Sequence, residues 1–185
     1  MIKKTAAILL ALTVFLCSSA FAQIPCRMDE NASVSTPYGL LEELGIVFQD
    51  EYKTLDFDVT KGMFLKWVIR MTAMTDNLIP KASKNIFLDL SMENPYADWA
   101  EYGYNRGIVK GDEHGRFSAE SGISVYDAAT MAARAAGYNI DESLLIKARS
   151  KAMRGMNSND MLTSAKAMEI IFNTLSLDAV MFGND

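Results

Sequence analysis

Apolar residues along this chain recur mainly at three- and four-residue intervals, the spacing that lays one stripe along a helix. The clearest run follows Thr60, where Met63, Phe64, Trp67, Val68 and Met71 share a face. Upstream, Thr36-Pro37 predicts a short helix, with Thr as N-cap and Pro in the first turn, running through Leu40, Leu41 and Leu44 to a stop at Gly45. Asn94-Pro95 predicts a third helix with Tyr96, Trp99, Ala100 and Tyr104 on its buried face and Gly107 closing it in a left-handed conformation. Ser124, with Asp127 three residues on as a capping box, predicts a fourth over 128–136, closed by Gly137. Its alanines permit close approach by neighbours and predict a central position. Asp141 predicts a fifth helix with Leu145, Ala148 and Ala152 on one side, and Thr163 a sixth with Ala167, Met168, Ile171 and Leu175 facing in. The expected fold class is therefore all-α. Most of the methionines fall at helix-core spacing and not in Met-x-Met runs, so they read as adaptable core filler and not as metal ligands.

Two stretches lack this periodicity. Residues 1–22 carry Lys3 and Lys4, an apolar run, and small residues ending Ala20-Phe21-Ala22, the pattern of a secretory signal with an A-x-A cleavage site. The run is too short for a bilayer, which needs about 20 apolar residues, and no later segment is long and apolar enough either. Phe15 and Leu16 before Cys17 disfavour a lipoprotein reading. Residues 23–34 are polar and aperiodic and read as a disordered leader, leaving 35–185 as the domain. Cleavage takes the formal charge from −5 to −7, which argues against nucleic acid and against unassisted binding to anionic lipid. It also leaves Cys26 as the single thiol, so no disulfide framework is expected.

Three segments repeat a theme: DVTKGMFLKWVIRMTA from Asp58, GISVYDAATMAARAAG from Gly122, and MLTSAKAMEIIFNTLS from Met161. Each runs from an apolar residue through a Thr or Ser cap into an amphipathic helix of about three turns. PYGLLEELGIV (37–47) and PYADWAEYGYNRGIV (95–109) repeat as their upstream partners, with LLIKARSKAMRGM (144–156) as a poorer third. The caps at 60, 124 and 163 are unevenly spaced, and the first gap carries an insertion, TDNLIPKASKNIFLDLSMEN. Three helix–loop–helix units are expected, over about 35–75, 85–138 and 141–178.

The glycine-rich stretch GIVKGDEHGRF (107–117) between two helices excludes two chemistries. A phosphate loop needs Lys-Ser/Thr after its second glycine, and here Arg-Phe follows Gly115. A calcium loop needs alternating acids and a distant bidentate glutamate, which are missing. His114 is the sole histidine, so a zinc site or a catalytic triad would rest on it alone. The stretch reads as a structural turn, with its backbone, Lys110 and Arg116 available to line a groove.

The middle unit resembles an S-layer homology repeat. Phe87-x-Asp89, Trp99-Ala100, Gly107 to Gly111, Gly115-Arg116-Phe117 and Ile123-Ser124 follow that family's pattern in order. The outer two units are degenerate copies. The resemblance implies a pseudo-threefold bundle of three repeats, with anionic wall glycan, typically a pyruvylated polysaccharide, held in the grooves between them. In the family a Thr-Arg-Ala-Glu motif supplies a ligand-binding arginine. This chain has Lys61, Val125 and Ser164 at that position, and Met63, Asp127 and Lys166 in place of the glutamate. One cation remains, without the arginine's bidentate fork.

The expected function is a secreted, non-catalytic envelope module of cell wall, S-layer or periplasm. It would bind cell-wall polysaccharide through inter-repeat grooves, without cofactor or metal. Candidate ligand-binding residues are Lys61, Trp99, Gly107, Lys110, Gly111, Arg116 and Tyr126, since aromatic rings suit sugar faces and cations suit acids. The alternative is a structural subunit that has lost glycan binding and docks another envelope protein or its own copies. An enzyme finds little support, because Asp98 and Glu101 lie on a helix face with no nucleophile–base pair.

Overall fold

A computed structural model of the chain describes residues 37–72 and 74–177. The expected signal, the leader, Cys26 and Thr36 lie outside these residues. Six helices occur among them: α1 (Pro37–Glu43), α2 (Lys61–Met71), α3 (Ala97–Asn105), α4 (Val125–Ala135), α5 (Glu142–Ala152) and α6 (Ser164–Leu175). Single 3-10 turns at Gln49–Glu51 and Asp76–Leu78 interrupt the connections. The described chain is all-α, with only isolated backbone bridges between segments.

The helices begin where short polar side chains can take an orphan amide. Thr60 accepts from Met63 N at 3.3 Å, Ser124 from Asp127 N at 3.1 Å and Asp141 from Leu144 N at 3.0 Å. Thr163 makes no such side-chain bond. Asp127 does not complete a capping box. Its carboxylate takes the Ser124 hydroxyl at 2.8 Å, because aspartate is one methylene shorter than the glutamate that reaches back to the cap amide. Helix ends follow the glycines. At Gly45 and Gly107 the backbone turns left-handed (φ +66° and +70°), and the next amide bonds back five residues, Ile46 N to Leu41 O and Ile108 N to Gly103 O. This closure satisfies carbonyls that the helix leaves open.

The three helices opened at 60, 124 and 163 pack on one another: α2 on α4, α4 on α6, α2 on α6. Each remaining helix lies against a member of this trio, α1 on α6, α3 on α2, α5 on α4 and α6. Residues preceding the caps, Val59, Ile123 and Leu162, are fully buried and belong to one core with Phe64, Trp67, Ala128, Ala132, Ala167 and Ile171. Each large apolar side chain removed from water there contributes about 1.5–3 kcal/mol. α2 is buried nearly all round, beyond the single stripe that its spacing predicts: Leu65, Ile69 and Arg70 are buried too. α4 packs against α2, α5 and α6 as its alanines predict.

Besides the capping box, two expectations change. Tyr104 is 46% exposed, its ring edge-on to Phe87. The inner position belongs to Gly103, where an added Cβ would lie 3.0 Å from Leu65. The poor third upstream copy is a full helix, α5, with Leu145, Ala148 and Ala152 buried as expected.

The segments ahead of α2, α4 and α6 join the trio end to end. Lys61 N and Gly62 N donate to Ser121 O and Ala119 O at 2.9 and 2.8 Å. Val125 N and Tyr126 N donate to Asp160 O and Ser158 O at 2.9 and 3.1 Å. Ser164 N and Ala165 N donate to Phe57 O and Leu55 O, both at 2.9 Å. In every case the acceptors lie three and five residues before the next cap in the circuit.

Candidate functional site

These junctions are where a groove ligand would sit, and their backbone is already engaged. The first two amides of each helix go to protein carbonyls, and the third goes to the cap side chain in α2 and α4. A helix N-terminus attracts anions through unpaired N–H groups, so recognition here would fall to side chains. At the first helical position Val125 and Ser164 are fully buried, and Ser164 Oγ bonds Phe57 O at 3.2 Å. Lys61 is half-buried, with Nζ 5.8 Å from the Phe117 ring centroid. Beside it Gly62 lies under Tyr96, where a Cβ would come within 2.7 Å of the ring. At the α4 junction Tyr126 is 41% exposed and carries the Arg149 guanidinium 4.2 Å from its ring centroid.

The other candidates lie apart from these. Trp99 is only 7% exposed, with Lys66 Nζ and Arg70 Cζ 5.7 and 5.6 Å from its ring, so it is part of the core and no platform for a sugar. Gly107 ends α3, a Cβ there falling 3.1 Å from Asn139. Gly111 abuts the Gly115 backbone, 3.3 Å from a Cβ. Lys110 and Arg116 are exposed. The turn between them is tied by Asp112, whose Oδ1 accepts from His114 N and Arg116 N at 2.9 and 2.8 Å. Asp89 clamps the turn's exit by accepting from Phe117 N and Ser118 N at 2.8 and 2.7 Å, and Ser118 is left-handed at φ +57°. The structure thus pairs Lys61 with Phe117 and Tyr126 with Arg149. It does not gather the seven candidates into one site.

The strongest electrostatic cluster was not among the candidates. Arg70, buried in α2, holds Asp76 through Nε and Nη2, both at 2.7 Å, and Glu51 through Nη1 at 2.7 Å. Glu51 also accepts from Trp67 Nε1 at 2.8 Å and Lys66 Nζ at 2.9 Å. Burial opposes the Glu51 carboxylate, but hydrogen bonds and charge from Arg70 and Lys66 outweigh it and hold the group below its ordinary value. Asp76 is held low mainly by its Arg70 bond. An arginine in the mostly apolar run FLKWVIRM was the available signal, since such a residue is seldom buried unpaired. The charged groups of this cluster bond one another, which makes it a structural clamp.

Among the described residues no group of three His, Cys, Asp or Glu side chains could hold a metal, and no helix is long and apolar enough to cross a membrane. Neither a protein-family model nor a curated protein matches the chain.

Proposed function

We propose that the chain is a non-catalytic structural or protein-interaction module of a cell envelope, built from three helix–loop–helix units of S-layer homology type about a pseudo-threefold axis. The observation that carries this reading is the repeated junction. Three helices each donate their first two amides to carbonyls three and five residues ahead of the next cap, round a closed circuit. The spaced motif of 87–127 and the N-terminal signal pattern support the envelope setting. The loss of anion-binding groups favours a scaffold over a glycan receptor. Two of three motif positions are buried Val125 and Ser164, Trp99 is covered, and the junction amides are occupied.

Glycan binding is the second reading, favoured by Lys61 beside Phe117 and by Arg149 on Tyr126, each a cation and an aromatic ring at a junction. Titration calorimetry of the chain against purified wall polymer, with co-sedimentation on sacculi stripped or not of secondary polymers, separates the two. A scaffold gives no saturable heat with polymer, and its sedimentation is indifferent to stripping. Saturable binding abolished by Lys61→Ala or Arg149→Ala overturns the scaffold reading in favour of the glycan.

A further inference from the structure

The insertion in the first gap contains residues 79–86, which run along α3 without helix or strand. Among the described residues no backbone–backbone hydrogen bond holds 80–86. Their bonds go to two carboxylates of α3. Asp98 accepts from Ala82 N at 2.7 Å and Lys81 Nζ at 2.8 Å. Glu101 accepts from Ser83 N and Ser83 Oγ at 2.7 Å and from Lys84 N at 3.3 Å. None of the residues 79–86 is fully buried; Ile79, Ala82 and Ile86 are half-buried and the rest are exposed.

Both ends of the segment are fixed. Upstream, Asp76 is gripped by Arg70. Downstream, Phe87 is buried against Phe117 and Tyr104, with ring centroids 5.2 and 5.7 Å away. Between strap and helix lies a small cleft lined by Ile86, Phe87, Leu90, Ala97 and Ala100, with Lys84 and Glu101 at its rim. A segment with firm anchors, little apolar burial and polar bonds that water can replace belongs to the low-stability end of a fold.

We propose that residues 79–86 form a lid, latched to α3 by Asp98 and Glu101, that opens while the core stays folded and bares the cleft floored by Ala97, Ala100 and Phe87. This explains why α3 carries two acids on its outer face where an enzymatic role finds no partner group. It is independent of the envelope reading.

The test is residue-resolved amide exchange on the full chain at one fixed pH. The amides of Ala82, Ser83 and Lys84 are expected to exchange together, about tenfold or more faster than those of α2 and α4. The double variant Asp98→Ala, Glu101→Ala should speed them by about another tenfold while leaving the α2 and α4 amides within about twofold. Exchange of the three amides only with the core, or rates unchanged in the double variant, overturns the proposal. Should the double variant fail to fold, the wild-type chain decides. Low denaturant leaves exchange through a lid unchanged and accelerates exchange through global unfolding.

Discussion

Arg70 shows how much one side chain can organise. Its side chain is 3% exposed, and its guanidinium ties α2 to the turns at 49–51 and 76–78. Arg70→Ala would leave the shielded Glu51 carboxylate without its main partner, and urea denaturation should register a loss of about 3 kcal/mol or more. The same cluster predicts acid sensitivity. Glu51 and Asp76 have lower pKa values folded than their ordinary 4.5 and 3.8. Their contribution is therefore complete above about pH 5 and declines as pH falls through the folded values. Urea midpoints measured between about pH 6 and pH 3 should fall, and Glu51→Gln should flatten the profile. Gly62 gives a second residue-scale test. Gly62→Ala improves helix propensity by about 1 kcal/mol but drives a methyl into the base of the Tyr96 ring. It should destabilise wild type and become neutral or stabilising in a Tyr96→Ala background. The sequence announces that Arg70 needs acids, yet the acids lie in two irregular turns whose approach to α2 is set by packing, with no periodicity to betray it.

At the scale of elements, caps and closures were legible because they are local. Thr60, Ser124, Asp141 and Thr163 precede helices as expected, and Gly45, Gly107 and Gly137 follow them. What tertiary packing decides was not legible. Tyr104 faces out because close approach to Leu65 reserves the inner position for Gly103. Trp99 lies on the buried face that helix spacing gave it, but the cations across its ring, Arg70 and Lys66, come from α2, a neighbour that spacing within one helix does not reveal. The caps themselves are unequal. Thr60→Ala and Ser124→Ala each remove a side-chain bond to a third-position amide and should cost about 1 kcal/mol. Thr163 makes none, so Thr163→Ala should cost a few tenths by comparison. Thermal midpoints of the three variants check the order.

At the scale of the whole described domain, the helices depend on one another. In an open helical array each repeat leans only on its neighbours, and a terminal one can be removed while the rest stays folded. Here α4 lands on 158–160 and α6 lands on 55–57, so both ends of the described domain share one circuit. Deleting residues 157–185 removes α6 from the core that α2 and α4 share, and the carbonyls on which α4 lands, and should abolish the dispersed amide spectrum of the intact chain. A truncated chain that kept it would mean the remaining units fold alone.

That circuit also constrains the order of events during folding. The bond from Ser164 to Phe57 spans 107 positions, so the segment that opens α2 meets its partner on α6 only after residue 164 has left the ribosome. Although its described regular elements are short helices, the domain should accordingly refold well behind simple helical bundles, because its decisive encounters are distant ones.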